Sequence, residues 1–509
     1  MYLNDIESNS RRQIKYGTLI SYLAIAINIL SGVIFTPWII QNIGSDNYGL
    51  YTIAISLISM FVMDFGISTA IAKYISQYRA EGKNDKINQL INVSIQLYLI
   101  IDAILLIVLV GVYFFIDVVY VNLTPDEIAS FRIVYIIVAC FNIISFPFIP
   151  LNSILTSYEK FISLNICEII SKVLTVSLTI IAIYRGYGLY AIVTINAAVN
   201  LFIILIKLLL VQRNITLHIN LLYRNKIIIK DIFGFSIWVT IMVVAQRFIY
   251  NLTPSIIGAF IGSIGAAVFG VAATIEGYSY SLGNVMSSMF LPKVSRILTG
   301  DNVKNELTDL MIKIGRIQLF ILGLIIIGFI SVGKEFIILW MGMDYRMAYY
   351  CAILLIIPNI FIWPMTIAAS SLTAINRVRE HALVNVCMAI INILLELFLV
   401  PTIGIIGAAV AIGISYCFRA ITMMYLYKKY LNIRLVKFLK HTYLKLLIPM
   451  LIAFIVSVIE CYLISAKSWF MIGVEVITVS VSYVLIMYLF AFNNSEKDWI
   501  KNHFRRGKC

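Results

Sequence analysis

The chain has 509 residues, of which 61% are hydrophobic and only 13% are charged, and its mean hydropathy is +0.95. Soluble domains are about 45–50% apolar and about 25% charged, so this composition excludes an ordinary soluble protein. In a chain of this composition, a net charge of +14 indicates Lys and Arg in the cytoplasmic loops of a membrane protein rather than a nucleic-acid-binding surface.

Apolar runs of about 18 or more residues recur along the whole chain, which is the length that a helix needs to cross hydrocarbon. Backbone groups inside a bilayer must be hydrogen-bonded within their own segment, so these runs predict helices. The sequence therefore predicts an all-α polytopic membrane protein with about fourteen transmembrane helices. The predicted spans are 18–40, 48–72, 90–114, 131–153, 164–184, 188–210, 233–257, 266–290, 314–333, 349–372, 382–401, 405–427, 443–465 and 469–492.

The distribution of Lys and Arg predicts the orientation. No signal-peptide cleavage site follows the polar first 16 residues, so the first apolar run is expected to stay in the membrane as span 1. Most of the 39 basic residues then fall in segments on the same side as the N-terminus. The segments of the other side hold only Arg132, Arg185, Lys334, Arg346 and Lys467. Both termini are therefore predicted to be cytoplasmic.

An internal repeat with an offset of about 220 residues divides most of the chain into two copies. Each copy has six spans, an even number, which predicts a parallel repeat about an axis along the membrane normal. The corresponding positions are Tyr48-Gly49 with Phe269-Gly270, and Phe146-Pro147 with Trp363-Pro364. The predicted domains are an N-lobe (1–212, spans 1–6), a C-lobe (213–430, spans 7–12) and an appended pair of spans with a cytoplasmic tail (431–509).

Glycine and proline mark the positions where the repeated helices are expected to bend. Glycine-rich turns precede span 2 and span 8, and a proline interrupts span 4 and span 10 at matching places. Such interruptions free backbone carbonyls and are tolerated where protein or a wet cavity satisfies them. The predicted hinge or gate residues are Gly44, Gly49, Gly262, Gly270, Pro147 and Pro364.

Several motifs resemble those of one family. They are the Tyr48-Gly49 turn, Asp64-Phe65-Gly66, the Lys73-Tyr74-Ile75-Ser76 helix end and the Tyr158-Glu159-Lys160-Phe161 loop. Together with the two sets of six spans and the final pair, they make the whole chain similar to bacterial polysaccharide-export flippases. These are the O-antigen and capsule repeat-unit translocases of the multidrug/oligosaccharidyl-lipid/polysaccharide exporter superfamily. The resemblance implies two six-helix lobes around a central cavity, lipid-linked oligosaccharide as cargo, and a place in the bacterial inner (cytoplasmic) membrane.

Basic residues inside predicted spans are the candidates for binding an anionic cargo, because a charge near the bilayer centre usually faces a cavity or a partner. Arg247 either pairs with Glu276 or meets a carrier diphosphate, whose oxygens match a planar guanidinium. Arg419 is a second candidate, although its side chain could instead extend to the inner surface. Lys172 lies one helical turn from Glu168, so the two form either a self-neutralising pair or a charged lip of the cavity.

Acidic residues inside spans are candidates for ion coupling or for lining the cavity: Asp64, Asp102, Glu168, Glu276 and Glu396. Asp64 and Asp102 have no cation within a turn, and a buried carboxylate without a partner readily exchanges a proton. One of them is therefore expected to take a proton or Na⁺ that drives movement of the lobes. The alternative is an acid hydrogen-bonded to backbone or water.

The aromatic residues at the two interrupted spans are candidates for stacking on sugar rings. Phe146 and Trp363 occupy matching places beside Pro147 and Pro364. Both types of side chain also pack in helix interfaces, so this contact remains one of two interpretations.

Three functions are compatible with these features. The first is a flippase for undecaprenyl-diphosphate-linked oligosaccharide that works by alternating access. The second is a cation-coupled multidrug exporter of the same superfamily, and the third is a membrane polysaccharide polymerase, which the short outer loops without histidine argue against. We expect a transporter rather than an enzyme, with membrane lipids around it and a polysaccharide polymerase as a candidate partner.

No cofactor is expected apart from a coupling ion, H⁺ or Na⁺. The seven cysteines contain no CxxC pair and the four histidines are far apart, so no metal site is predicted. No glycine loop with lysine is present in the sequence, so the chain itself is not expected to use ATP.

Overall fold

The computed structural model describes residues 2–61, 66–214, 226–289, 302–375, 377–464 and 468–492, with the single positions 294, 297, 298 and 497. Throughout this part of the chain the regular structure is helical and contains no strand. The predicted all-α polytopic fold class is therefore confirmed.

The first half of the chain forms long helices joined by short turns. They are α1 (Tyr2–Ile43), α2 (Ser45–Phe61), α3 (Ile67–Ala80), α4 (Asn84–Val119), α5 (Pro125–Ser145), α6 (Pro150–Ser157), α7 (Phe161–Tyr184), α8 (Leu189–Asn214), α9 (Lys226–Phe260) and α10 (Ser263–Met289). A 3₁₀ turn, Phe146–Phe148, joins α5 to α6.

The second half continues in the same way. Its helices are α11 (Val303–Met341), α12 (Arg346–Ile356), α13 (Asn359–Ile362), α14 (Thr366–Ala374), α15 (Val378–Ile403), α16 (Ile405–Leu431), α17 (Leu435–Leu439), α18 (Lys445–Ile464) and α19 (Trp469–Ile486). The short irregular helices are the 3₁₀ turns Met343–Tyr345 and Trp363–Met365 and the π-helical segments Lys440–Leu444 and Met487–Ala491.

Eleven segments of the described chain are long and apolar enough to cross a membrane. They are Ala26–Ile43, Asn84–Val119, Pro125–Ser157, Phe161–Tyr184, Leu189–Arg213, Val303–Met341, Met343–Leu372, Val378–Ile403, Ile405–Leu431, Leu435–Ile464 and Trp469–Ala491. The other three predicted spans fall on α2 with α3, on α9 and on α10. The chain is a multi-pass membrane protein, and the count of fourteen stays a prediction.

The helices pack into two compact units. The first contains residues 1–270 and 396–404, and the second contains residues 271–395 and 405–509. Helices α10 and α15 each contribute residues to both units. This grouping does not test the division of the sequence at residues 212 and 430, which stays a prediction.

In the first unit, the proline-interrupted helix pair α5–α6 packs onto α3 and α4. Phe146 is fully buried, and its ring centroid lies 5.4 Å from that of Tyr98. The Tyr98 hydroxyl lies 3.1 Å from the hydroxyl of Ser68. At the interruption beside Pro147, the side chain of Phe146 thus lies within the hydrophobic core of this unit.

A close contact, here called the Ser263 junction, joins three segments of the first unit. They are the beginning of α2 (residues 45–49), the beginning of α5 with the residues before it (122–127), and the turn between α9 and α10 (259–263). The Ser263 hydroxyl donates a hydrogen bond to the Glu127 carboxylate, which also caps α5 by accepting from the backbone N–H of Thr124 at 2.8 Å. The side-chain amide of Asn122 donates to the carbonyl of Ala259 at 2.6 Å. At Gly49, a Cβ atom would lie 2.0 Å from the carbonyl oxygen of Ser263. Only glycine allows this approach.

In the second unit, a side chain satisfies a carbonyl that the interruption of span 10 leaves free. The hydroxyl of Tyr443 donates at 3.1 Å to the carbonyl of Ile360, four residues before Pro364, which has no N–H to donate to it. Trp363 and Pro364 form a 3₁₀ turn that corresponds to Phe146-Pro147 in the first unit. The repeat detected in the sequence therefore produces the same local break twice.

Arg316 attaches the last two helices to α11. Its side chain is 3% exposed, and its guanidinium donates to the carbonyls of His441 at 3.0 Å and Ala491 at 2.6 Å. Both carbonyls belong to π-helical segments. The predicted orientation counts Arg316 with an inner loop, because it lies only two residues inside the predicted span 314–333. In the structure α11 begins at Val303, so Arg316 lies deep within a helix.

We predict that Arg316→Gln destabilises the packing of α18 and α19 on α11. Each carbonyl left without its donor should cost about 1–3 kcal/mol. Thermal unfolding of the purified protein in detergent measures the loss, and Arg316→Lys should give an intermediate value. The matched control is Lys313→Gln on the exposed side of the same helix. Equal melting temperatures for Arg316→Gln and Lys313→Gln would contradict this role.

We predict that Gly49→Ala opens the Ser263 junction, because a backbone atom cannot yield as a flexible side chain does. Overpacking of this kind costs about 1–3 kcal/mol. Hydrogen exchange of residues 259–266 should become faster in the variant. The control is Gly111→Ala, where a Cβ would meet no atom within 4 Å, and its exchange should match that of the parent. Unchanged protection in Gly49→Ala would show that the contact is not needed.

Candidate functional site

A cavity of about 320 Å³ lies in the first unit between α2, α5, α8 and α9. Close packing of α2 on α9 forms part of its wall: a Cβ at Gly258 would lie 2.5 Å from Ile53. The polar and aromatic lining residues are Tyr51, Ser59, Phe141, Asn142, Asn196, Asn200 and Arg247. The remaining lining residues are Ile55, Val138, Val193 and Ala197.

Arg247 is the charged residue of this cavity. Its side chain is exposed, and within the described part of the first unit no residue forms a hydrogen bond or ion pair with it. A permanent cation inside a membrane span costs at least about 2.5–3.5 kcal/mol on insertion scales, so it needs water or an anion beside it. The cavity supplies the space for either.

Three asparagines give the cavity its hydrogen-bonding character. Their amide nitrogens donate to carbonyls one turn back on their own helices: Asn142 to Val138 at 2.8 Å, Asn196 to Ile192 at 3.0 Å, and Asn200 to Asn196 at 2.9 Å. Each amide nitrogen has a second N–H, so each of these side chains can offer a ligand one donor and, through its amide oxygen, an acceptor. The residues that line this cavity include no Asp or Glu. The cavity thus combines one cation with several neutral donors and acceptors.

Arg247 is predicted from the sequence as a binding residue, whereas the three asparagines are not among the predicted site residues. Asn196 and Asn200 are polar residues within an apolar run, which is the signal that could have found them. Their spacing of four places them on one face of α8. Of the two aromatic residues predicted to contact sugar, Phe146 lies in the core of the first unit and Trp363 is 3% exposed in the second. The aromatic residues of the cavity are Tyr51 and Phe141.

Among the described acids of the first unit, Glu396 is the most deeply buried. It is fully buried, and its Oε1 accepts a hydrogen bond from the hydroxyl of Thr253 at 2.5 Å. Asp102, on α4, is half-buried, and its Oδ1 has no hydrogen-bond partner in the described part of the chain. Asp64 lies outside the described residues.

Glu276 occupies a separate polar position in the second unit. It is 5% exposed and accepts a hydrogen bond from the amide of Asn359 at 3.4 Å, directly after the break at Pro358. The indole nitrogen of Trp363 is also buried and has no partner among the described residues. Arg247 belongs to the first unit and Glu276 to the second, and their pairing stays a prediction.

The remaining predicted site residues fall in two places. On α7, Glu168 is exposed and Lys172 is half-buried, and no ion pair joins them although they share a helix face. On α16, the guanidinium of Arg419 lies 3.4 Å from Nε2 of His381.

Two of the four predicted hinge glycines lie at turns between helices, and Gly49 and Gly270 lie within helices. Gly44 separates α1 from α2 with φ +86°, and Gly262 separates α9 from α10 with φ +101°. Both values are in the left-handed region that favours glycine. Gly270 lies within α10, where a Cβ would be 3.0 Å from the Thr52 side chain. Whether these turns move during function stays a prediction.

Comparison with known proteins gives two similar curated sequences. The membrane protein EpsK of Bacillus subtilis, described as uncharacterized, is 21% identical over 515 residues, which cover 95% of this chain and 97% of EpsK. A putative O-antigen transporter of Shigella flexneri is 21% identical over 415 residues, which cover 79% of this chain and 95% of that protein.

Two solved structures share the fold. The lipid II flippase MurJ, in an inward closed conformation, aligns over 93% of this chain and 98% of its own with a TM-score of 0.68 and 15% identity. An inward-facing multidrug resistance transporter of the MATE family aligns over 82% of this chain and 98% of its own, with a TM-score of 0.66 and 14% identity. At these identities the similarity concerns the fold alone.

A family model described as polysaccharide biosynthesis protein matches residues 14–298, which is more than half of the chain. The resemblance to polysaccharide-export proteins drawn from the motifs is therefore confirmed. The chain belongs to the polysaccharide biosynthesis protein family.

Proposed function

We propose that this protein is a flippase that moves undecaprenyl-diphosphate-linked oligosaccharide from the inner to the outer leaflet by alternating access. In this proposal Arg247 binds the diphosphate within the cavity of the first unit. The observation that carries it is an arginine without a described protein partner in a cavity whose lining holds no carboxylate. A guanidinium binds phosphate oxygens through two parallel hydrogen bonds, and such charge-assisted bonds are strong where water is scarce.

The neutral part of the cavity suits a sugar next to that diphosphate. Sugar hydroxyls are donors, and the amide oxygens of Asn142, Asn196 and Asn200 are acceptors. Tyr51 and Phe141 add aromatic faces against which a sugar ring can pack. This chemistry supports a sugar diphosphate as the part of the cargo that enters the cavity.

The cavity lining argues against the alternative, a multidrug exporter for cationic compounds. The shared fold is compatible with either cargo, since a MATE transporter aligns almost as well as MurJ. A cavity for organic cations would place carboxylates beside the ligand. The cavity of the first unit instead carries a cation, which would repel such a ligand.

The proposal includes the location and energy source expected from the sequence. The protein would lie in the bacterial inner membrane with both termini in the cytoplasm, and it would act as a transporter rather than an enzyme. The sequence favours Asp64 or Asp102 as the acid that takes the coupling ion, H⁺ or Na⁺. We propose Glu396 instead, because this acid is fully buried and its carboxylate accepts a hydrogen bond from Thr253. Asp102 is the second candidate.

We predict that Arg247→Gln slows transport of carrier-linked oligosaccharide in proteoliposomes by about 10- to 100-fold. A hydrogen bond to a charged group contributes about 1.5–3 kcal/mol, and 1.4 kcal/mol corresponds to tenfold. Arg247→Lys should be intermediate, because it keeps the charge and loses the two-pronged contact. A membrane-impermeant reagent that modifies a fluorescent sugar in one leaflet measures the rate.

The matched control for Arg247 is Arg132→Gln in the same unit. Arg132 forms an exposed ion pair with Asp117, and such pairs contribute little. Its transport rate should equal that of the parent. The proposal would be contradicted if Arg247→Gln transported the oligosaccharide at the parental rate. It would also be contradicted if the parent exported a cationic dye and Arg247→Gln exported it faster.

We predict that Glu396→Gln uncouples transport from the ion gradient while leaving the protein folded, because glutamine keeps an acceptor for Thr253. One charge moved across 100 mV is worth about 2.3 kcal/mol, which sustains about a 50-fold difference between leaflets. The parent should maintain this ratio of cargo between the two leaflets. In the variant the amounts in the two leaflets should become equal, which is a ratio of about one. Asp117→Asn is the control. Full accumulation by Glu396→Gln together with its loss in Asp102→Asn would move the coupling site to Asp102.

A further inference from the structure

The second unit carries a basic surface where α16 ends and α18 begins. The segment 428–445 contains six Lys and Arg residues, and the sequence has no Asp or Glu between Glu396 and Glu460. One of the six, Lys437, pairs with Asp309 at 2.6 Å. The other five are exposed and are here called the basic patch: Lys428, Lys429, Arg434, Lys440 and Lys445.

The charge of the basic patch is not neutralised by the described part of the second unit. No ion pair there includes any of its five residues. The acid Glu380 pairs with Arg377 at 3.1 Å, and Asp309 is engaged by Lys437. Glu306 is exposed in the first turn of α11 and forms no ion pair with the patch. An anionic partner is therefore needed from outside the unit.

An exposed apolar stripe along α16 ends at the patch. It consists of four residues at a spacing of three or four: Ile414, Phe418, Ile421 and Tyr425. Lys428 and Lys429 continue this face one turn later. In a multi-pass membrane protein such a face contacts acyl chains, and an aromatic residue followed by lysines marks the level at which those chains end.

A second stripe leads to the patch along the helix that begins with α17. The segments α17, 440–444 and α18 follow one another without a break, and Val436, Lys440, Leu444 and Ile448 succeed one another at a spacing of four. Val436 is 80% exposed and Leu444 is 59% exposed, so Lys440 lies between two exposed apolar residues. Such a mixture of basic and apolar side chains on one face is typical of a helix at the membrane interface.

The turn between α16 and α17 holds the two sets of lysines in a fixed relation. Leu431, Ile433 and Phe438 are buried in one hydrophobic cluster. The backbone N–H of Arg434 donates to the hydroxyl of Thr308 at 3.3 Å. The basic patch is thus part of the packed structure of the unit.

We propose that the basic patch binds the headgroups of anionic phospholipids, which in the predicted orientation are those of the inner leaflet. The headgroup supplies the negative charge, and its acyl chains cover the two stripes. An acidic soluble protein would neutralise the lysines without covering the stripes, so we favour the lipid. The proposal does not depend on the cavity of the first unit or on the cargo assigned to that cavity.

The test uses the full-length protein with Arg247→Gln, so that a headgroup in the cavity of the first unit does not contribute. The protein in detergent receives equal amounts of phosphatidylglycerol and phosphatidylcholine with the same acyl chains. Native mass spectrometry measures how much of each lipid is bound. We expect phosphatidylglycerol to bind more tightly, and this preference should fall as the concentration of ammonium acetate rises, because salt screens the charges.

A variant that combines Lys428→Gln, Lys429→Gln and Lys440→Gln locates the binding. Each basic residue near an anionic lipid surface contributes about fivefold, so the variant should bind phosphatidylglycerol about 100-fold more weakly. Its binding of phosphatidylcholine should not change. Arginine at the same three positions keeps the charge and should retain the affinity. Because the replaced side chains are exposed, the melting temperature should equal that of the parent.

The matched control removes three exposed lysines elsewhere: Lys83→Gln, Lys86→Gln and Lys304→Gln. It should keep the preference for phosphatidylglycerol. Equal binding of the two lipids by the parent would overturn the proposal and make the patch a solvated surface. An equal loss in the variant and in its control would overturn it as well, because the total charge of the protein would then attract the lipid. So would a variant that binds both lipids like its parent but loses a copurifying acidic protein, since the patch would then bind that protein.

Discussion

A guanidinium carries a permanent charge, and inside an apolar helix bundle it must be given partners or water. Three arginines within the long helices of this protein meet that constraint in different ways. Arg316 is enclosed and donates to two backbone carbonyls. Arg419 reaches the imidazole of His381, and Arg247 faces a cavity. The first has a structural role, and the proposed ligand binding is assigned to Arg247, because it is the arginine of the three that lines a cavity.

The cavity around Arg247 depends on how closely its helices approach one another. Helix α2 contributes Tyr51 and Ser59, and it can pack against α9 because Gly258 leaves room for Ile53. The Ser263 junction joins the start of α2 to the turn between α9 and α10 through backbone contact at Gly49. Small residues therefore hold two walls of the cavity at a fixed distance. Close approach through glycine is common in membrane helices, where burial of apolar surface gives no advantage over contact with lipid.

The fold does not distinguish between classes of cargo, whereas the polarity of the cavity favours one class over another. A lipid II flippase and a multidrug transporter align with this chain almost equally well, so helix arrangement alone does not separate their cargoes. A cation beside neutral amides suits the proposed cargo, an anion that also carries hydroxyl groups. This proposal is compatible both with membership of the family and with the chemistry of the cavity, which are independent observations.

The sequence by itself determined the fold class, most of the spans and the two proline breaks. Apolar run length and the geometry of proline act locally, so Phe146-Pro147 and Trp363-Pro364 could be recognised as equivalent and both form 3₁₀ turns. The motifs that carry the family resemblance are also local. These features form independently of how the neighbouring helices pack.

Only the tertiary structure decided which side of each helix faces a cavity, the core or the lipid. It placed Phe146 in the core, brought Asn196 and Asn200 to the cavity, and joined Glu396 to Thr253, 143 residues away. In a soluble helix the apolar face identifies the core, whereas here lipid and core are both apolar and the periodicity is weak. The position of a polar group around its helix thus depends on which neighbours pack there, and that information lies in contacts between distant segments.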